Sequence, residues 1–274
     1  MIYKNFLFKI KKFFEKNNKE KKRILIRKIN FLFKIPIYFG KSNATDIFIQ
    51  YQPDSQAHFH SHPEFNELLD RFIENNKKQN AGDINRLWSF ILNIKQVISE
   101  QVKGDFAELG VWRGNTAAVL AYYAYLNDKK AYLFDTFQGF NKKDLEGIDA
   151  NKKMEFGDTS IELVKNVIGS SSSYACEFVK GYFPDSLLDI HKDNIYSVVS
   201  LDCDLYEPMR AGLEFFYERM PSGGIFFLHD YSNIHWDGAK KAVDEFCKKN
   251  GEYVVLMPDK AGSAFIRKSK RFNE

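Results

Sequence analysis

The stretch DFAELGVWRGNTAAVLAYYAYL, residues 105–126, decides how the chain is read. A short β-rich run ends at Glu108 and Leu109. A Gly110-x-x-x-Gly114 turn follows, and a helical period opens with Asn115 and Thr116. A strand that turns through glycines into a helix is the first half of a βαβ unit. The same texture continues to the end of the chain. KAYLFDTF (130–137), ACEFVKGYF (175–183), IYSVVSLD (195–202), GGIFFLHDY (223–231), EYVVLM (252–257) and GSAFIRK (262–268) read as strands. TSIELVKNVIG (159–169), PMRAGLEFFYERM (208–220) and GAKKAVDEFCKK (238–249) read as helices between them, and a long polar loop follows 137. Only PDKAG, residues 258–262, separates the last two strands, which is too short for a crossover, so the final strand must run antiparallel. The predicted fold is α/β: a Rossmann-like, doubly wound, seven-stranded sheet over residues 105–268, mostly parallel with an antiparallel last strand.

What precedes residue 105 differs in kind. In a chain of 274 residues with net charge +4, residues 1–41 carry 13 Lys/Arg against Glu15 and Glu20, while the remainder is acidic. Lysines interrupt every apolar run of this basic segment, well short of the roughly 18–20 residues a membrane span needs, and no signal peptide is legible. An amphipathic segment resting on an anionic membrane face or acidic partner is one expectation, and a helix docked on its own domain is the other. Residues 42–104 are predicted as a helical lid, with helices over 63–78 and from Asp83, the latter N-capped by that aspartate. His58, His60 and His62 alternate in HFHSHP and are expected to be solvated or to face substrate. The acidic body and the absence of a recognition motif argue against nucleic acid. Cys176, Cys203 and Cys247 have no paired spacing, which implies reduced thiols and a cytoplasmic chain.

Open α/β sheets bind ligands beyond the carboxyl ends of their strands, and three such ends carry chemistry. The Gly110–Gly114 turn lets backbone approach a ligand, and the helix start at Asn115 and Thr116 favours a carboxylate or phosphate. The dinucleotide fingerprint and the phosphate-binding GK[ST] loop are both absent. Glu108, just before the turn, would repel a pyrophosphate but suits an ammonium group. S-adenosylmethionine combines an amino-acid head with a sulfonium and has no phosphate. Asp135 ends the second strand 25 residues after Gly110, where a ribose diol is gripped. Finally, Asp202 and Asp204 close one strand and His229 and Asp230 close the next. Oxygen ligands with one imidazole suit Mg²⁺ or Mn²⁺, and a carboxylate outside the coordination shell would serve as general base.

FAELGVWRGNTA, LFDTFQGF, GYFPDSL, LDCDLYEPMRAGLEFFYERMPSGG, and HDY followed by GAKKAVDEF together resemble the macrocin-type sugar O-methyltransferases. These enzymes depend on S-adenosylmethionine and Mg²⁺. The resemblance covers about residues 83–268. It implies that Glu108, Gly110 and Gly114 form the methionine-binding loop, with Asn115 and Thr116 at the helix start. Asp135 would bind the ribose, and Gly181 and Tyr182 would border the adenine. By the same resemblance Asp202 is a metal ligand and Asp204 the catalytic base. Where the family has two adjacent aspartates completing the metal site this chain has His229-Asp230, and its DGD is DCD. An imidazole in place of a carboxylate would favour Mn²⁺ or a softer ion. A sugar-containing acceptor and a homodimer are further expectations. Two rivals stand beside it: a DxD-type glycosyltransferase that uses the same acids to hold a nucleotide sugar, and a non-catalytic membrane-associated scaffold in glycan assembly, anchored by residues 1–41, which leaves the acids unexplained. Only the methyltransferase reading gives Glu108 and Asp135 a task.

Overall fold

The computed structural model describes Leu68, residues 83–257 and residues 259–269, all within a compact unit spanning Pro53–Glu274. The basic segment 1–41, His58, His60 and His62, and the helix expected over 63–78 lie outside the described residues, apart from Leu68, which is helical and buried.

Seven strands form one sheet: β1 (Asp105–Leu109), β2 (Ala131–Asp135), β3 (Cys176–Lys180), β4 (Tyr196–Leu201), β5 (Ile225–Leu228), β6 (Val255–Leu256) and β7 (Ala264–Arg267). The order is β3-β2-β1-β4-β5-β7-β6. The pairs β3–β2, β2–β1, β1–β4 and β4–β5 are parallel, and β7 is antiparallel to both β5 and β6, as the short 258–262 gap requires. The order reverses at β1 and β4, so the crevice opens between those two strands.

Alternation along the central strands supplies two buried faces. Phe106, Val198, Ile225 and Phe227 face α1 (Ile84–Ser99) and α2 (Asn115–Leu126), and Leu133 meets α2 and α3 (Ile161–Ile168). Ala107, Leu109, Val199, Leu201 and Phe226 face α6 (Tyr206–Glu218) and α7 (Asp237–Asn250). Two shorter α-helices among the described residues are α4 (Ser170–Ser173) and α5 (Asp189–Asp193). Asp83 caps α1 as expected, its side chain accepting from the Arg86 N–H. Within the 42–104 region expected as a helical lid, α1 buries its stripe Leu87, Phe90, Ile91, Ile94 and Val97 in the sheet's core cluster. No described helix is long and apolar enough to cross a membrane, and the three cysteines are unpaired.

The register places the functional edge. Leu109 pairs with Leu201, and Leu201 with Leu228. The ladder then runs one residue further: Gly110 N–H donates to Phe134 O at 3.0 Å, Asp202 N–H to Leu109 O at 2.9 Å, and His229 N–H to Leu201 O at 3.0 Å. Gly110, Asp202 and His229 are therefore level with one another where the strands end. The approach at Gly110 is close. With φ at +87°, a Cβ there would lie 2.0 Å from the Asp202 carbonyl oxygen. Gly251, which caps α7 at φ +69°, has open space around it. Gly110→Ala should therefore lower stability by at least about 2 kcal/mol, and Gly251→Ala by about 1 kcal/mol, measured by urea unfolding. Equal losses would contradict the close approach.

Candidate active site

A cavity of about 450 Å³ opens over the carboxyl ends of β1, β2, β4 and β5. It is lined by Glu108, Gly110, Asn115, Thr116, Asp135, Gly181, Tyr182, Asp202, Asp204, His229 and Asp230, which gathers eleven of the twelve residues nominated from the sequence. Gly114 is the exception. It is the left-handed N-cap of α2, and a Cβ there would sit 2.8 Å from Val164 Cγ1 on α3. It therefore shapes the turn and the helix packing, and the cavity wall excludes it.

At the glycine turn, Glu108 is 1% exposed, and its Oε1 lies 3.5 Å from Ser200 Oγ. Burial, reinforced by Asp202 nearby, raises its pKa well above the usual glutamate range. Both polar atoms of the buried Asn115 side chain, and Glu108 Oε2, have no hydrogen-bond partner among the described residues. Orphaned buried polar atoms facing a cavity suit a polar ligand. Asp135 is engaged with the turn itself. Its Oδ2 accepts from the N–H groups of Val111 (2.7 Å) and Trp112 (2.9 Å), and its Oδ1 from Phe137 N–H (2.6 Å). It thus braces the loop, and a ribose would have to share oxygens already in use. Gly181 N–H donates to Asp135 O at 3.0 Å, and Tyr182 Oη donates to Asp144 Oδ1 at 2.6 Å.

At the acid edge, the side chains of Asp202, Asp204, His229 and Asp230 offer ligand atoms that all lie within 4.8 Å of one another. Asp204 and Asp230 have left-handed backbone at φ +60° and +59°, a conformation that aspartate tolerates better than most residues and that concentrates at functional sites. His229 Nδ1 is 2.6 Å from Asp202 Oδ1 and also touches Asp230 Oδ2. Asn233 Nδ2 donates to Asp230 Oδ1 at 2.6 Å. Burial alone would raise Asp202, but His229 and Arg86 outweigh it and hold that carboxyl well below its usual range. Asp230 is lowered too, because His229 overcomes its burial. Asp204 goes the other way: burial, then the Asp230 and Asp202 charges, raise it well above 3.8. For His229, burial and Arg86 oppose a charge while Asp202 and Asp230 favour one and raise its proton affinity. Three carboxylates and an imidazole in one buried cluster are a donor set that fits a divalent ion.

Arg86 was not anticipated from the sequence. It projects from α1 and is 1% exposed. Its Nη2 donates to Asp202 Oδ2 at 2.7 Å and to Thr116 Oγ1 at 3.1 Å, and its Nη1 lies 2.7 Å from His229 Nε2. The signal was present: Arg86 stands on the same helix stripe as Phe90, Ile94 and Val97, where a surface cation does not belong. The long loop after β2 was also more than polar filler. Phe140 and Phe156, with Trp112 and Trp236, make edge-to-face contacts at 5.1–5.7 Å and wall the cavity. Asp149 pins that loop by accepting from Tyr206 N–H at 2.7 Å.

Sheet order, antiparallel β7 and an edge cavity define a methyltransferase fold. It is the fold of the O-methyltransferase NovP, with a TM-score of 0.55 and 24% identity over 68% of this chain and 81% of that one. The chain belongs to the macrocin O-methyltransferase (TylF) family, whose model matches residues 44–265. It is similar to demethyldecarbamoylnovobiocin O-methyltransferase of Streptomyces niveus, at 28% identity over 61% of this chain and 66% of that protein. It is also similar to the 8-demethyl-8-(2,3-dimethoxy-alpha-L-rhamnosyl)-tetracenomycin-C 4'-O-methyltransferase of Streptomyces olivaceus, at 25% identity over 60% of this chain and 65% of that protein. Both alignments span just under two thirds of the relative's length.

The buried Glu108 yields a prediction. The folded chain holds its proton above 4.5 whereas the unfolded chain releases it there, so folding stability falls as pH rises past that value. Glu108→Gln removes this dependence. The variant should be more stable than the unaltered protein at pH 7–8, by thermal unfolding, with the gap closing toward pH 4. A less stable variant at pH 8 would contradict the assignment.

Proposed function

We propose that the chain transfers a methyl group from S-adenosylmethionine to a hydroxyl of a sugar-bearing acceptor, assisted by a divalent ion. One observation carries this reading: the glycine turn with Glu108 and the unpartnered Asn115 opens into the same cavity as Asp202, Asp204 and Asp230. In this reading Glu108 meets the ammonium of the donor, and Asn115, at the helix N-terminus, meets its carboxylate. The strand end at Asp135 lies against the ribose, and Gly181 and Tyr182 border the adenine. The relatives' names supply the acceptor class, since one of them methylates a position of a rhamnosyl group. The aromatic wall of Trp112, Phe140, Phe156 and Trp236 suits the C–H face of a sugar ring. The basic segment 1–41 would bring the chain to an anionic surface or acceptor.

The chain's own groups account for the proton. Asp204 accepts it from the attacking hydroxyl as the new O–CH₃ bond forms and the S–CH₃ bond breaks, releasing S-adenosylhomocysteine. Burial and the Asp230 and Asp202 charges raise its pKa, and a carboxylate whose pKa is raised is a stronger base than an ordinary one. A bound divalent ion supplies positive charge that acidifies the hydroxyl and lowers the repulsion among the acids. Asp202 and Asp230 are the carboxylates that would hold it. His229, the third donor expected from the sequence, is engaged on its far side by Arg86.

Asp204→Asn should cut transfer of radiolabelled methyl to a panel of glycosides and nucleotide sugars by about 10²–10⁴-fold. The Kd for S-adenosylmethionine, by calorimetry, should stay within a few-fold. In the unaltered enzyme kcat/KM should rise with pH on the acid side, because Asp204 acts only once its proton has left. Near-full activity of the variant, or a profile flat from pH 5 to 9, would overturn the assignment of the base.

A further inference from the structure

His229 was expected to ligate the metal, yet its surroundings are the reverse of those of a ligating histidine. A metal-bound imidazole turns its other N–H toward a carboxylate or carbonyl, which fixes the ring. Here the far nitrogen, Nε2, lies 2.7 Å from Arg86 Nη1, and a guanidinium has donors and no acceptor. Two N–H groups cannot face each other at that distance, so Nε2 is the acceptor. Asp202 and Asp230 favour a second ring proton, but Nε2 facing the guanidinium has no room for one, so the ring stays neutral and carries its one hydrogen at Nδ1.

Nδ1 is the nitrogen that faces the acids, 2.6 Å from Asp202 Oδ1 and in contact with Asp230 Oδ2. Neither contact has hydrogen-bond geometry, so Nδ1 sits between the two carboxylates with no formed hydrogen bond among the described residues. Because Nε2 accepts from Arg86, the nitrogen that would have to bind an ion carries the ring's hydrogen and has no free lone pair. Arg86 is also well anchored. Besides His229 it holds Asp202 Oδ2 and Thr116 Oγ1, and its guanidinium lies 5.8 Å from the centre of the Phe90 ring.

We propose that His229 is a positioning residue held off the metal by Arg86, bridging that guanidinium to Asp202 and Asp230. The inference rests on the reading of this cluster as the methyl-transfer site. A divalent ion is then carried by carboxylate oxygens alone. That predicts a hard-ion site that prefers Mg²⁺ and gains little from Mn²⁺ or Zn²⁺, the opposite of what the His229-Asp230 sequence suggests.

The test is nitrogen NMR of the full chain labelled with ¹⁵N-histidine, with the His229 signals assigned by their loss in His229→Asn, or in His229→Gln if the first variant does not fold. The Nδ1–H form is expected, unchanged on adding Mg²⁺. An Nε2–H form, or conversion to it when Mg²⁺ or Zn²⁺ is added, overturns the proposal. In parallel, Mn²⁺ binding followed by electron paramagnetic resonance should be within about threefold in unaltered and substituted protein. A loss of tenfold or more on substitution means that His229 is a ligand. If the unaltered protein binds no Mn²⁺, the metal part of the proposed function fails, and the nitrogen spectrum still decides the state of His229. Failure to bind S-adenosylmethionine in calorimetry would remove the methyl-transfer reading independently of either result.

Discussion

The buried ion pair between Arg86 and Asp202 is the interaction on which the rest of this edge depends. The strand register brings Glu108, Asp202, Asp204 and Asp230 to one end of the sheet, and water is largely excluded there. Uncompensated, that many carboxylates in a low-dielectric site would cost far more than a fold can offset. The molecule resolves this in two ways. Asp202 and Asp230 are held toward their ionised forms beside Arg86 and the Nδ1 side of His229, while Glu108 and Asp204 are driven toward their protonated forms. Two carboxyl pairs with opposite shifts, side by side, match the division between charge holders and proton acceptors that acid–base chemistry uses.

The same ion pair ties helix packing to chemistry. Arg86 reaches the acids because α1 lies flat on the sheet with Phe90 against Phe227, the two rings stacked at 3.9 Å. Through Thr116 it also touches the first turn of α2, where the glycine turn delivers the chain. One side chain from a covering helix thereby joins the two halves of the cavity. Position matters more than charge alone at such a site, because a guanidinium fixes the angles of its partners as well as their protonation.

Most of the fold was legible because its rules are local. Apolar runs of strand length alternated with helical periods, and the five residues of 258–262 left no room for a crossover. The acids at 202, 204 and 230 were legible because charge at the end of a buried strand is unusual. The departures share a physical root: sequence spacing shows which face of an element a residue occupies, and three-dimensional packing decides what that face meets. Gly110 and Gly114 look alike in the chain, yet one meets Asp202 and the cavity while the other meets Val164. Arg86 looks like a surface cation until its stripe is seen to be buried. The aromatic residues of the loop after β2 have no periodicity, so nothing in the sequence marks them as a wall.

The central claim is that the β1 turn, the end of β2 and the acids of β4 and β5 form one continuous methyl-transfer site. The most direct measurement is a crystal structure of the chain with S-adenosylhomocysteine. The amino-acid end should lie in the Gly110 turn beside Glu108 and Asn115, the ribose at the Asp135 strand end, and the sulfur facing Asp204. A ligand bound elsewhere, or a glycine turn that stays closed at saturating ligand, would contradict the account.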